Sequence, residues 1–519
     1  MIVTGRRRAR GLTRRAVLAG GALVLCNPLP MVRAADWEFV PSLRMSETYN
    51  DNVALSSARD SDWITQLTPM LQAKKAGGVA KLRARYQMNN SIHAHRNELN
   101  STTHDLGANG QLELLSDHLF LDANVGIRQQ SNSALDVGAV SLDSTPSNRS
   151  STRFFSIGPT ARARFGTFAR GQAAVRYEVA GSDSASLPSS NRYSLTAGLT
   201  SGSRFNDWKW TTSLRSSKED RRSGPDIETS ALNVNNTLLL LPRLSGLANV
   251  GYETNNIPSS RNLNDGPIWS LGLRWRPGRR TSLEAGVGER FFGRNKFLSA
   301  SYRAQQIGIS TRYSTDLSST RDQLAGRSSD STADILAGSA YFLTAFPSEE
   351  DRAAEIERVM REYDLPERID GAVNFLADQP FLQRRLDIGL TYLGKRIVLS
   401  SNAYRSTRES FLTVPAMVGL PPSDFSLSDE IQQSGLTTTI GYKARALTSV
   451  SGSLAYNNNE AVRLGTTRRQ RVASVNIGRQ VQRDVTAGLR ASMQSDRAAT
   501  PGAPKVRSNT VSASLNVRF

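Results

Sequence analysis

The chain has one cysteine in 519 residues, Cys26, and this scarcity limits its chemistry. A single cysteine forms no internal disulfide, and Cys26 lies in an N-terminal stretch that we expect to be removed. Thiolate catalysis and cysteine metal sites are thereby excluded from the remaining chain. This composition suits an oxidising cell envelope, where a free thiol is a liability.

Long apolar runs are also missing beyond the N-terminus, where no stretch reaches the roughly 18 residues of a spanning helix. The sequence further lacks a Gly-x-Ser-x-Gly elbow, a His-Glu-x-x-His motif, a phosphate-binding loop and paired cysteines. We therefore predict a protein that is not an enzyme and holds no cofactor.

Histidine is scarce as well, with four residues at His93, His95, His104 and His118. The first three could approach one another around one hairpin loop, which leaves a metal site as a weak alternative. Exposed loop histidines are the simpler interpretation, and we assign no metal ligands.

Acidic residues are outnumbered, because 65 Lys and Arg against 46 Asp and Glu give a net charge of +19. Seven arginines and no acidic residue lie in positions 1–35, so removal of that stretch leaves +12. The remaining basic residues are spread through strand-like segments without a basic helix or clustered patch. We therefore do not expect nucleic acid as a partner.

The N-terminus reads as a cleaved signal peptide over 1–34. Six arginines precede the apolar run Ala16 to Leu25, and the small residues of Val32-Arg33-Ala34 favour cutting before Ala35. The protein is then exported, and residues 35–519 form its mature part.

Apolar residues recur at every second position along the mature chain, which is typical of strands with two different faces. In the last strand Val511, Leu515, Val517 and Phe519 share one face, while polar residues occupy the other. Such strands cross a bilayer only as a closed barrel, with apolar residues facing lipid. We interpret these four residues as the C-terminal insertion signal for the barrel-assembly machinery.

The predicted fold is all-β: a transmembrane antiparallel up-and-down β-barrel of about 22 strands, with 20 as the alternative. Tight turns such as Pro277-Gly278-Arg279 alternate with longer polar loops, and short turns of such barrels face the periplasm. Twenty-one strands are clear, and the alternation slips once near residues 315–381, where we expect a hidden strand. Trp37, Trp208, Trp210 and Trp275 fall near the predicted turn ends and resemble an aromatic girdle.

Residues 315–381 break the period of two and predict a small helical insertion. Ser348-Glu349-Glu350-Asp351 is typical of a helix start, and Ile356, Val359, Met360 and Tyr363 follow at helical spacing. A second short helix is predicted over 372–378. The acidic residues of the first helix form either a docking face or a solvated surface.

Basic residues on the polar strand faces point toward the predicted lumen. They are Lys81, Arg83, Arg85, Arg128, Arg162, Arg164, Arg274, Arg290 and Arg490. A cationic lumen attracts anionic solutes such as acidic polysaccharide. The alternative is that these arginines pair with carboxylates such as Asp122 and Glu284 to brace the wall.

The mature N-terminus carries Tyr49-Asn50-Asp51-Asn52 and then a strand from Asp62 to Pro69. These residues resemble the PEP-CTERM system-associated outer-membrane β-barrel proteins, which share a Tyr-x-Asp-Asn opening. The resemblance implies a place in the outer membrane of Gram-negative bacteria, in exopolysaccharide and exosortase systems. From the residues alone, Tyr49, Asp51 and Asn52 serve equally well as a structural turn after the first strand.

Three functions follow as hypotheses. The first is a porin-like barrel that passes or guides an anionic exopolysaccharide, with outer-membrane lipid and envelope proteins as partners. The second is a structural or assembly barrel whose helical insertion docks a partner. The third is an outer-membrane hydrolase, since a Ser and His pair is recognised by geometry and not by spacing.

Overall fold

A computed structural model of the chain describes residues 37–136, 148–222, 224–259, 264–325, 332–365, 375–412, 423–497 and 504–519. The predicted signal peptide, 1–34, lies outside these ranges. The described strands are β1 Trp37–Asn50, β2 Asp62–Lys75, β3 Ala80–His93, β4 Ser101–Leu115, β5 Leu119–Ser131, β6 Arg149–Phe165, β7 Ala169–Ser182, β8 Ser190–Ser201, β9 Trp208–Arg221, β10 Ile227–Leu241, β11 Leu244–Asn255, β12 Asp265–Gly278, β13 Thr281–Arg290, β14 Gly293–Arg303, β15 Ile307–Ser318, β16 Phe381–Leu393, β17 Ile397–Ser410, β18 Glu430–Arg445, β19 Thr448–Ala461, β20 Thr466–Gln482, β21 Val485–Arg497 and β22 Lys505–Arg518.

These strands form one closed antiparallel barrel of 22 strands, as the sequence predicted. Each strand pairs with its neighbour in sequence, and β1 also pairs with β22 over nine positions from Ser42↔Arg518 to Asn50↔Thr510. Closure leaves no sheet edge among these strands, so backbone N–H and C=O groups are satisfied within the wall.

The strands present an apolar face outward and a polar face inward. On β12, Trp269, Leu271, Leu273 and Trp275 are all exposed on the outer face. Val511, Leu515 and Phe519 are likewise exposed at the C-terminus, and Val517 shares their strand face. This alternation is what a lipid-facing barrel wall requires.

The two ends of the barrel differ, and we call them the turn end and the long-loop end. The turn end carries short connections such as 166–168 and 483–484, and Trp37, Trp208, Trp210 and Trp275 lie near it as predicted. The long-loop end carries the longer connections. Its exception is the tight turn at Gly293, whose φ of +104° favours glycine.

The helical insertion joins β15 to β16 at the long-loop end. Its described helices are α1 Thr320–Ala325, α2 Thr332–Gly338, α3 Ala340–Ala345 and α4 Glu349–Glu362. Helix α4 starts where predicted, because the Ser348 hydroxyl accepts a hydrogen bond from the Asp351 N–H. None of the helices described is long and apolar enough to cross a membrane.

Two sequence-based predictions about this region are wrong. The described residues between Ser318 and Phe381 contain no hidden strand, only an isolated bridge from Phe375 to Ser131. The helix predicted over 372–378 is also absent in its described part, since residues 375–378 are not helical. Residues 372–374 lie outside the described ranges.

Candidate functional site inside the barrel

The helical insertion folds into the lumen and reaches the turn end. A Cβ on Gly308, at the turn end of β15, would lie 2.4 Å from the backbone nitrogen of Tyr341 in α3. The Tyr363 hydroxyl donates to the carbonyl of Gly394, in the turn between β16 and β17. The insertion therefore crosses the barrel interior from one end to the other, and we call α2–α4 with Tyr363–Leu365 the plug.

The plug packs on the inner wall through its own apolar cluster. Ile356, Val359 and Tyr363 of the predicted helical stripe are buried against Leu336, Phe342, Leu365 and Val398. Polar contacts add to this packing, since Lys443 on β18 lies 2.8 Å from Glu362. The plug thus occupies the β14–β20 side of the lumen.

Asp364 ties the end of the plug to two further strands. Its carbonyl accepts a hydrogen bond from Ser451 of β19 at 2.7 Å, and its carboxylate accepts one from Asn476 of β20 at 2.5 Å. These bonds hold the chain just after α4, so the C-terminal end of the plug is fixed to the wall.

A second part of the insertion closes the long-loop end. The segment Phe375–Leu382, which we call the lid, contributes to three separate buried apolar clusters. Phe375 and Phe381 pack with Leu135 and Phe425, Leu376 packs with Phe154 and Leu187, and Leu382 packs with Ile227 and Phe291. The lid therefore joins three parts of the rim.

Charged side chains hold the lid and α1 to the opposite wall. Asp378 of the lid forms an ion pair with Arg221 of β9. In α1, Asp322 lies 2.8 Å from Arg192 of β8, and Arg321 donates to the carbonyl of Ser190 at 2.6 Å. These contacts cross the mouth, so opening it requires breaking them together.

Two buried arginines lie directly beneath the lid. Arg408 is fully buried, with its guanidinium 5.0 Å from the Phe375 ring centroid and 5.4 Å from that of Phe381. Arg468 forms a buried two-point ion pair with Asp496, at 3.0 and 2.6 Å, and donates to the Ala134 carbonyl at 3.2 Å. Arg408 thus contacts the lid directly, whereas Arg468 contacts Ala134, which packs in the same apolar cluster as Phe375 and Phe381.

One buried carboxyl group, that of Asp424, lies in a loop at the long-loop end of the barrel. Asp424, in the connection between β17 and β18, accepts hydrogen bonds from the Ser133 hydroxyl at 2.5 Å and the Ala134 N–H at 2.7 Å. Burial raises the pKa of Asp424 to about 6, and these two hydrogen bonds only partly oppose the increase. The contact between the two loops is therefore sensitive to pH.

The wall opposite the plug is basic near the turn end. Lys81, Arg83 and Arg85 of β3 share a strand face with buried Gln87 and Ser91, so they point inward. By the same alternation Arg162 and Arg164 of β6 point inward near the turn end. Arg128 also points inward but lies near the long-loop end of β5, and Arg490 of β21 points inward beside the plug, cross-strand to Asn476. Lys81, Arg85, Arg162 and Arg164 are exposed, so they reach solvent inside the barrel.

Sequence analysis missed two inward cations of this wall. Lys74 on β2 is cross-strand to Arg83, and Arg170 on β7 is cross-strand to Arg164. Both are exposed on inward faces, and alternation along β2 and β7 alone was the signal that could have found them. Within the described chain no carboxylate forms an ion pair with Lys74, Lys81, Arg83, Arg162, Arg164, Arg170 or Arg490.

Other predicted lumen residues brace the wall instead. Arg274 lies 2.7 Å from Glu284, and Arg290 lies 2.7 Å from Glu253. Asp122 likewise pairs with Arg176 at 3.3 Å. The alternative of wall-bracing pairs therefore describes Arg274 and Arg290. Six inward cations without such pairs in the described chain form what we call the basic wall: Lys74, Lys81, Arg83, Arg162, Arg164 and Arg170.

The motif residues lie at the seam where β1 meets β22. Asp51 accepts hydrogen bonds from the Asn509 backbone N–H at 2.6 Å and from its side-chain amide at 2.7 Å. The Asn52 amide donates to the carbonyls of Ser56 and Arg507, and Tyr49 packs on Trp63 at 5.3 Å between ring centroids. The geometry gives this motif a role in closing the barrel.

The histidines form no metal site in the described ranges, where no group of three or more ligating side chains occurs. His93 and His95 both approach Asp62, at 3.4 and 2.9 Å, whereas His104 bonds instead to the Tyr86 hydroxyl. His118 is exposed and contacts the Ser116 carbonyl.

Two acidic residues of the predicted cluster on α4, Glu355 and Glu357, form ion pairs within their own helix. Glu355 pairs with Arg358 at 2.6 Å and Glu357 pairs with Arg361 at 2.7 Å, on a solvated face. Pairs at this spacing stabilise a helix and leave little unbalanced charge for a partner. This arrangement favours the solvated surface over the docking face.

No protein-family model matches the sequence, and no curated protein matches it. Solved structures are similar in fold. The ferric-catecholate import receptor Fiu from E. coli K12 has a TM-score of 0.50 and 9% identity, covering 92% of this chain and 81% of that chain. The siderophore receptor PirA from Acinetobacter baumannii has a TM-score of 0.49 and 8% identity, covering 93% and 80%. These neighbours are transport receptors, and at such identity the likeness to Fiu supports an outer-membrane β-barrel fold alone.

Proposed function

We propose that this protein is an outer-membrane barrel that passes an anionic polysaccharide between its plug and its basic wall. The observation that carries the proposal is the set of inward cations without carboxylate partners on β2, β3, β6 and β7, on the side of the lumen opposite the plug. Fixed charge along a low-dielectric wall concentrates oppositely charged solutes. A polymer with carboxylate or phosphate groups fits such a wall.

The lid and plug make this passage a gated one. The lid covers the long-loop end through three apolar clusters, while the basic wall stays exposed near the turn end. An anionic chain entering from the turn end would meet the cations first and the lid last. We propose that transport requires the lid contacts to open.

The resemblance in Tyr49-Asn50-Asp51-Asn52 supports placing this barrel in a Gram-negative exopolysaccharide and PEP-CTERM system. An apolar outer face and a C-terminal strand ending in Phe519 support residence in outer-membrane lipid after insertion by the barrel-assembly machinery. The polymer itself is proposed only by class, as an acidic polysaccharide.

The test is entry of size-matched oligosaccharides into liposomes that contain the purified barrel with its lid weakened by Asp378→Ala. We expect anionic oligogalacturonate to enter about tenfold faster than neutral dextran, because each exposed cation favours the anion. Replacing Lys81, Arg83, Arg162 and Arg164 by Gln should remove that preference.

The matched control replaces the paired residues Arg274 and Glu284 by Gln, which leaves the net charge and the basic wall unchanged. The control should keep the preference for the anion. Equal entry of both sugars into liposomes with the Asp378→Ala barrel would overturn the proposal.

A further inference from the structure

Five basic side chains cluster on the outer face of β20, β21 and β22 at the long-loop end. Strand pairing places Arg469, Arg497 and Lys505 in one cross-strand row and Arg471, Ser495 and Arg507 in the next. All five cations are exposed. Directly opposed side chains of this kind have Cβ atoms about 5 Å apart, so the cluster concentrates positive charge.

This cluster faces the surroundings of the barrel and not its lumen. Arg469 and Arg471 share a face with exposed Val475 and Ile477, whereas the adjacent inward residues Arg468 and Gln470 are buried. The rows next to the cluster toward the turn end contain Met493, Val511 and Leu489. The cations therefore form the upper border of the apolar outer band.

Two carboxylates flank this cluster on the outer face, Glu460 of β19 and Asp51 beside β22, but neither forms an ion pair with it, and Asp51 bonds instead to Asn509. In the described ranges no carboxylate forms an ion pair with any of the five, and the connection 498–504 contains no acidic residue in its sequence. Three other cations near the outer rim do form ion pairs: Arg153 with Asp183, Lys218 with Glu228 and Arg384 with Glu409.

Like charges directly opposite each other on paired strands destabilise a sheet. An anion bound to these cations would reduce their mutual repulsion. A ligand that binds these cations lies beside the barrel and not in its lumen. A lipid fits this position, because its anionic head group would contact the cations while its acyl chains lie along the apolar outer band. We infer that Arg469, Arg471, Arg497, Lys505 and Arg507 form a binding site for the phosphate groups of a membrane lipid in the leaflet around the long-loop end.

This inference depends on the membrane residence in the proposed function, but not on passage of a polysaccharide. The probe is lipid A, a phosphorylated glycolipid, added to the purified barrel in zwitterionic detergent micelles and counted by native mass spectrometry. Dephosphorylated lipid A and inorganic phosphate are the comparison ligands. Heat-dependent gel mobility checks that each variant is folded.

The test variant replaces Arg469, Arg497 and Arg507 by Gln. We expect its affinity for lipid A to fall on the order of a hundredfold, since each basic residue near an anionic surface contributes roughly fivefold. The control replaces the paired rim cations Arg153, Lys218 and Arg384 by Gln, removes the same charge, and should bind like the wild type.

Equal affinity of wild type and test variant, or an equal loss in the control, would overturn the lipid site. Competition by inorganic phosphate at the same affinity would show a free-anion site and would also overturn it. These outcomes are separable from those of the liposome experiment, which changes lumen residues and measures sugar entry. A mature chain that is soluble without detergent would refute both proposals.

Discussion

At the scale of single residues, the buried carboxyl of Asp424 makes the closed mouth respond to pH. Its folded pKa of about 6 lies above the ordinary value of 3.8 for an aspartate, so near pH 5 the folded state retains a proton that the opened state releases. Stability of the loop contact is therefore fully present below about pH 4 and falls as pH rises to about 6, by up to about 3 kcal/mol.

We expect amide exchange of residues 133–135 to be slower at pH 5 than at pH 7.5, after correction for intrinsic exchange rates. Asp424→Asn should remove this pH dependence, because the amide stays neutral throughout. A wild-type contact whose opening free energy is constant from pH 5 to 7.5 would contradict the prediction.

The buried Arg468–Asp496 pair is the second residue-scale feature with a measurable consequence. Asp496→Ala leaves a guanidinium of 2% exposure without its carboxylate, which costs about 3–5 kcal/mol. Urea unfolding of the barrel in micelles should show that loss.

The exposed pair Arg153–Asp183 supplies the comparison, with 68% and 54% of its side chains exposed. Asp183→Ala should change the unfolding free energy by less than about 1 kcal/mol. If both variants lost the same free energy of unfolding, the buried Arg468–Asp496 pair would not stabilise the barrel more than an exposed pair does.

Alternation along one strand predicts which way a side chain points, but not what it meets. Lys81 and Arg274 look alike in sequence, yet one faces solvent inside the barrel and the other pairs with Glu284. The difference depends on the register between strands, as does the contact of Asp51 with Asn509, which is 458 positions away. Single-sequence patterns do not encode such register.

At the scale of elements, the plug depends on close contact with a glycine in the wall. Gly308→Val would place side-chain atoms against the Tyr341 backbone, and overpacking of this kind costs about 1–3 kcal/mol. We expect α3 to detach, with about tenfold faster amide exchange in Ala340–Ala345 and higher ion conductance in planar bilayers.

Gly107→Val is the matched control, since a Cβ on Gly107 meets nothing within 4 Å and the residue also lies in a strand. It should leave exchange in α3 and conductance unchanged. If both variants behaved alike, the plug would not be held by the Gly308 contact.

A helix of the insertion was predicted correctly only where its own sequence carries a clear helical pattern. Helix α4 has a capping serine and a full apolar stripe, so its start and buried face were both predicted. Helices α1–α3 have six or seven residues each, too short for a periodic pattern to identify. The direction of the insertion was not predictable, because it depends on contacts such as Gly308 with Tyr341.

At the scale of the whole molecule, closure depends on the seam between β1 and β22. Asn52 is fully buried there and bonds to Ser56 and Arg507, so Asn52→Ala leaves buried groups without partners at a cost of about 1–3 kcal/mol. We expect the variant barrel to lose its folded gel mobility at a lower temperature than the wild type.

Ser57→Ala, in the same connection and exposed, should leave that transition temperature unchanged. An unchanged temperature for Asn52→Ala would show that the motif does not stabilise the seam. The two-faced barrel itself was predictable because alternation recurs along the chain and needs no register. Its 22 strands match the predicted number, but the strand expected near residues 315–381 is not in the described part of that region.

Both ends of the insertion leave the wall at the same rim, between the neighbouring strands β15 and β16. In the transport that we propose, a segment held at both ends on one rim would move out toward the long-loop side and remain covalently attached to the barrel. Its return would close the lumen again without a separate protein.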